Sequence, residues 1–252
     1  MSDIIDPEMP FIRHLAELRD RILKTLVVIF ILFAGLSFFA NEIYSYLAIP
    51  LLQHMPEGHQ MIAIDVASPF FAPFKLAGFA ALLLGLPYVF YQVWAFVAPG
   101  LYRHEKRLIF PLVLSSIILF YTGIAFAYFL VFPVMFTFFS TVAPEGVAVQ
   151  TDINRYLDFV LGMFFAFGAA FEVPILTILL IWSGVVTRAG MAEKRSYIIV
   201  LSFVIGMILT PPDVVSQTML AIPIWLLFEF GLLFSRLVEQ PDPATGKDME
   251  AH

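Results

Sequence analysis

Long apolar runs alternate with short polar stretches from Ile22 to Phe234, and this alternation dominates the chain. Ahead of the first run, Phe11, Leu15, Leu18 and Ile22 recur at helical spacing, with Arg13, Glu17 and Arg21 on another face, predicting a short amphipathic helix over 11–22. Apolar spans follow at about 22–40, 70–98, 108–139 and 156–182, each near or above the roughly 20 residues that cross a bilayer core. Asn41 to Pro69 reads as a long loop punctuated by Pro50, Pro56 and Pro69. Pro99-Gly100 reads as a break closing the second span, and the third span is long enough to tilt or project. Thr210-Pro211-Pro212-Asp213 splits the last apolar region into pieces at about 197–209 and 214–234, either one broken hairpin or two short spans.

Composition agrees with a polytopic membrane protein. Of 252 residues, 60% are hydrophobic and 13% charged, where a soluble domain carries about a quarter charged. The absence of cysteine excludes disulfides, thiol chemistry and Cys-ligated metal. Met1 to Pro10 is acidic and lacks the pattern of a cleavable signal. Residues 1–238 read as a single membrane domain and 239–252 as a polar, disordered tail.

Basic residues fix the expected orientation. Twelve of the 14 Lys and Arg fall in the N-terminal segment, the second and fourth connections and the tail, leaving Lys75 and Arg155 near the opposite side. Both termini are therefore expected in the cytoplasm. That demands an even number of crossings, so the split region counts as two short helices. The fold class is an all-α integral membrane protein with six transmembrane helices, the last two short.

Catalytic signatures are nearly absent. The five histidines show no metal spacing, and there is no phosphate-binding glycine loop, nucleophile elbow or pair of membrane aspartates. Binding or transport remains, without an enzyme activity, a cofactor or a metal. Glu105 is a lone acid among Arg103, His104, Lys106 and Arg107; a helix-start charge is the plain reading, a cation-binding carboxylate the sharper one. Glu17 lies i,i+4 from both Arg13 and Arg21, which suits surface ion pairs, or it converges with Glu105 to hold a pair of guanidinium groups. Glu172 lies near the middle of the fourth span, where a carboxylate is costly and faces a bundle interior, a polar cavity or a hydrogen-bonding neighbour. Asp158 and Glu229 lie nearer span ends. Thr210, Asp213 and Gln217 form a polar cluster at the last turn, suited to interhelical hydrogen bonding.

His14-Leu15-Ala16-Glu17-Leu18-Arg19-Asp20-Arg21 resembles the N-terminal motif of the TatC family, the multispanning receptors of twin-arginine protein translocases. So do Ser68-Pro69-Phe70, the stretch from Tyr91 through Trp94 to Tyr102 with Glu105, Phe171-Glu172-Val173-Pro174, and Thr210-Pro211-Pro212-Asp213 with Gln217. The likeness runs from about Phe11 to Arg236 in the family's order. It implies a concave, curved wall of six helices in a bacterial inner membrane, self-associated in a multimeric receptor complex with the single-span proteins TatB and TatA. Folded precursors bearing twin-arginine signal peptides are the implied cargo, driven by the proton-motive force, with no nucleic-acid partner.

Carried over by motif, Glu17 and Glu105 contact the arginine pair, with Arg19 and Phe96 shaping the site. Pro50 falls in the outer cap. Glu172 sits within the concave face, and Met207, Thr210 and Gln217 dock partner helices. Asp213 holds the outer turn. The rival reading is a proton-coupled secondary transporter of a small solute using Glu172, which predicts internal repeats that the two halves do not display.

Overall fold

Neither proline nor glycine occurs between Pro10 and Gly35, and this stretch forms one uninterrupted helix, α1 (Glu8–Leu36). The amphipathic segment at 11–22 and the first span are thus a single element, not two. The computed structural model describes residues 8–52, 62–101, 109–142, 152–209 and 214–237. After one 3-10 turn at Ser37–Phe39 the chain re-enters a helix, α2 (Ala40–Leu52). Much of the stretch expected as a loop from Asn41 is therefore helical, with the backbone of Pro50 inside it.

The second run is α3 (Ser68–Leu101), 34 residues long. Pro69 occupies its first turn, where a missing N–H costs nothing. The helix passes Pro87 and continues through Pro99-Gly100, where a break was expected. The third run is α4 (Ile109–Phe126), a π-helical segment at Ala127–Val131, and α5 (Phe132–Val142). The fourth is α6 (Ile153–Phe171) and α7 (Val173–Trp182), separated by a turn at Glu172. Pro174 has no N–H to continue the α6 ladder, so the Glu172 N–H tightens onto the Ala169 carbonyl (3.1 Å) and the Leu176 N–H returns to the Glu172 carbonyl (3.0 Å). A short helix, α8 (Arg188–Glu193), is capped by the Thr187 hydroxyl, and α9 (Arg195–Leu209) and α10 (Val214–Phe234) complete the helices.

Among the described residues, five helical runs are long and apolar enough to cross a bilayer: Arg13–Tyr46, Ser68–Phe96, Phe110–Phe138, Ile153–Trp182 and Gln217–Phe234. Arg195–Ile208 is a shorter apolar helix. Of the final pair only α9 is short; the 21 residues of α10 reach about 31 Å, ordinary spanning length. Thr210, Asp213 and the tail at 239–252 lie outside the described residues.

Charge marks how far α1 overhangs. From Lys24 to Glu42 no charged side chain occurs, and the uncharged stretch 25–41 covers about 26 Å of helix. Glu17, seven residues before Lys24, stands about 10 Å further out along the same axis.

The helices group into two compact units. The first contains residues up to Ile118 together with Phe132–Leu161. Here α1 and α2 both pack along α3. Buried Ala72, Ala77 and Ala81 keep α3 slim, and Gly78 and Gly85 face Phe33 and Ile29 of α1. Small residues at such contacts let apolar helices approach closely without a polar driving force. Phe132, Phe136, Tyr156 and Phe159 form an aromatic cluster between α5 and α6. The buried Trp94 indole donates to the buried Ser116 hydroxyl (3.0 Å), tying α3 to α4.

At the other end of this unit, Asp152 accepts the N–H groups of Ile64, Asn154 and Arg155. The Ile153 N–H donates to the Ile62 carbonyl, and the Asn154 amide donates to Ser68. Lys75 of α3 ion-pairs with Asp158 of α6. The backbone donors of Arg155 and Ile64, joined by that of Asn154 and the Arg155 charge, hold the Asp152 carboxyl below the usual aspartate range.

The second unit comprises Leu119–Val131 and the described residues from Gly162 onward. α10 packs against both α7 and α9. Gly231 lies so close to Pro174 and Thr177 that a Cβ there would stand 2.8 Å from the Pro174 Cα. Phe126 meets Phe167 and Phe171, and Arg195 holds Glu229 in a two-pronged ion pair joining α9 to α10.

Candidate functional site

Glu17, His14, Leu18, Arg21 and Thr25 recur on one side of α1, and that side is laid along the end of α3 that carries Gln92, Ala95 and Phe96. The centre of this contact is Arg21. Its Nε and Nη2 donate to Glu17 Oε1 at 3.0 and 2.5 Å, its Nη1 donates to Gln92 Oε1 at 2.9 Å, and Nη2 also reaches the Ala95 carbonyl at 3.2 Å. Gln92 is buried, so its amide oxygen needs a donor, and Arg21 provides one that carries charge.

The arrangement is graded in exposure. The Arg21 side chain is 22% exposed and the Glu17 side chain 44%, so the cation stands behind and the carboxylate faces outward. One turn nearer the N-terminus, the His14 imidazole stacks on the Phe96 ring, centroids 4.1 Å apart and planes 12° from parallel. Beside them lies an open groove of about 220 Å³, lined by Leu18, Ile22, Leu26, Val89, Val93 and Phe96, with Arg21, Thr25 and Gln92 as polar members. A carboxylate with an apolar trough next to it suits a cationic group followed by apolar side chains.

The expected residues divide by position. Glu17 and Phe96 come to the same end of α1 and α3. Arg19 points elsewhere: it pairs with Asp20 in an exposed contact at 2.8 Å and meets neither of them. Of the two ion pairs that spacing allowed Glu17, only that with Arg21 forms among the described residues. Glu105 lies outside the described residues. Glu172 sits at the α6–α7 turn with its Oε1 buried. Met207 is exposed on α9, and the chain at Gly206 closely approaches the backbone of Gln217 on α10. Asp158 and Glu229 are both ion-paired, with Lys75 and Arg195.

Sequence reasoning read Arg21 only as a surface partner of Glu17 and gave Gln92 no role. A local signal existed for Gln92, an amide within the apolar stretch of α3. Its pairing with Arg21 spans 71 positions and depends on how two helices are aligned, which helical periodicity does not carry.

Residues 13–223 match the family model described as Sec-independent protein translocase protein (TatC). The chain is 56% identical over 240 residues to the Sec-independent protein translocase protein TatC of Azotobacter chroococcum, covering 95% of this chain and 94% of that one. It is 52% identical over 232 residues to the protein of the same description from Escherichia coli, covering 92% and 90%. Among solved structures it is similar to the crystal structure of the twin-arginine translocase receptor TatC, with a TM-score of 0.79 and 37% identity over 89% of this chain and 99% of that chain.

Proposed function

Since the chain belongs to the TatC family of Sec-independent protein translocase proteins, and is thus a multi-pass membrane component of a protein translocase, we propose that it is the receptor that reads twin-arginine signal peptides. The peptide is bound at the cytoplasmic face of a bacterial inner membrane, with both termini on that side. Glu17, outward-facing and backed by Arg21, accepts a guanidinium of the arginine pair, and Glu105 accepts the other. Phe96 borders the groove for the apolar residues that follow. The observation that carries this reading is the juxtaposition of an exposed carboxylate with an apolar trough at one end of α1 and α3.

The further roles follow the same reading. TatB and TatA helices dock along α9 and α10 near Met207, Thr210 and Gln217. Asp213 secures the outer turn, Pro50 belongs to the outer cap, and Glu172 lies beneath the inserted peptide. Several copies assemble into the working receptor, and the proton-motive force drives export. The transporter reading built on Glu172 is not favoured by the family or by its relatives.

The test is binding of a peptide bearing Arg-Arg against the same peptide bearing Lys-Lys. A fork of donors matches a carboxylate in two places where an ammonium offers one point charge, so Arg-Arg binds better, by about tenfold or more. Glu17→Gln or Glu105→Gln removes most of that preference. Equal binding of both peptides by a folded receptor complex would overturn the reading.

A further inference from the structure

Arg21 makes all its contacts with Glu17 through a single carboxylate oxygen, Oε1, and donates further to the buried Gln92 amide and the Ala95 carbonyl of α3. No other described residue hydrogen-bonds or ion-pairs with Glu17, so Oε2 is not engaged by the described part of the chain. A guanidinium is a rigid planar fork, and four donor contacts on two helices fix its plane. The carboxylate that shares Nε and Nη2 is fixed with it. A side chain that is 44% exposed on a helix surface would otherwise sample several rotamers.

We propose that Arg21 is a positioning residue: it ties Glu17 to α3 through Gln92 and Ala95 and presents Oε2, in one fixed orientation, to an incoming guanidinium. The proposal rests on the receptor reading above and deepens it. A carboxylate that is merely nearby attracts any cation. Held still at the correct angle, it distinguishes a planar fork from a point charge, because the gain from directed hydrogen bonds depends on geometry and the Coulomb attraction scarcely does. Arg21 thereby governs selectivity for arginine over lysine without itself bonding to the arginine pair. The opposite role, a built-in competitor that must leave before the peptide binds, conflicts with its anchorage: departure would strip the buried Gln92 oxygen of its donor.

The experiment uses the full chain with its partner subunits in inverted membrane vesicles, titrated with fluorescent Arg-Arg and Lys-Lys signal peptides. Arg21→Lys keeps the charge and cannot reproduce the fork; Gln92→Met keeps the volume and removes one anchor. Arg21→Lys is expected to weaken Arg-Arg binding about tenfold while Lys-Lys binding changes less than about twofold, and Gln92→Met to lower the ratio by about threefold. If Arg21→Lys does not accumulate, Gln92→Met decides by its own ratio. An unchanged ratio, an equal loss for both peptides (a purely structural role), or tighter Arg-Arg binding (a competitor) each overturns the proposal. A wild-type complex with no preference for Arg-Arg fails the receptor reading itself and removes the proposal with it.

Discussion

Trp94 Nε1 donates to Ser116 Oγ at 3.0 Å with both residues buried, and the donor lies midway between Gln92 and Phe96 on α3. The two residues that face α1 at the candidate site are therefore flanked by a bond that secures the opposite side of the same helix. Ser116→Ala strands a buried indole N–H and is expected to destabilise the protein by about 1–3 kcal/mol. Trp94→Phe is expected to leave no comparable polar cost, because a serine hydroxyl on a helix can turn to a carbonyl of its own preceding turn. Thermal unfolding in detergent, corrected for the lost ring volume, separates the two. Equal losses after that correction would count against the bond.

Gly231 and Gly35 should respond to alanine in opposite directions. A Cβ at Gly231 would stand 2.8 Å from Pro174 Cα and 3.1 Å from its carbonyl oxygen, both backbone atoms that cannot swing aside. Gly231→Ala therefore pushes α10 off α7 at a cost of about 1–3 kcal/mol. A Cβ at Gly35 would meet no atom of the described residues within 4 Å beyond its own helix backbone and chain neighbours, so Gly35→Ala is expected to gain up to about 1 kcal/mol of helix propensity. Melting temperatures of the two variants in the same detergent provide the check.

Acid should loosen the junction of Asp152 with the segment at Ile62–Ile64. Its folded-state pKa is depressed by backbone donors, so the unfolded chain binds the proton more readily and stability rises with pH. The contribution is complete above the ordinary aspartate value near 3.9 and disappears as pH falls through the lower folded value. Asp152→Asn is accordingly expected to lower the melting temperature at about pH 6 and to converge with the wild type as pH falls through the depressed folded-state value. A difference that stays constant over that range would mean that the ionised form has no special role.

The stacked pair of His14 and Phe96 gives a functional prediction. Removing the ring by Phe96→Ala takes away one wall of the groove and is expected to weaken signal-peptide binding about five- to tenfold, while Phe96→Tyr preserves the stack and stays near the wild-type value. Peptide titration of the vesicle-embedded complex reads the difference, and similar losses for both variants would show that the ring face is not what matters.

The crossing helices were legible because the length and hydropathy of a run are properties of consecutive residues. Their ends were not, since proline was given too much authority. Pro50 and Pro99 both sit inside helices near a terminus, where one missing donor removes a single bond and does not end the element. The division of α6 from α7 at Glu172 was not read from the sequence, since a mid-run proline does not by itself end a helix: α3 passes Pro87 and α10 passes Pro223. At the site, Glu17 was legible as an acid on a helical face. The hold that Arg21 exerts on it was only half legible: the i,i+4 spacing is local, whereas the anchors on Gln92 and Ala95 arise from the alignment of α1 with α3.

The overhang of α1 puts Glu17 about 10 Å along the helix axis beyond Lys24, the last charge before the apolar stretch. A basic peptide gathers on an anionic leaflet before it meets any protein. If Glu17 receives such a peptide, as proposed above, lateral diffusion along the surface brings the two together with no need for the peptide to return to bulk water. On the proposed receptor reading, lipid phosphates compete for the same guanidinium groups, so leaflet composition is expected to set both how fast the receptor is found and how firmly it must hold what it finds.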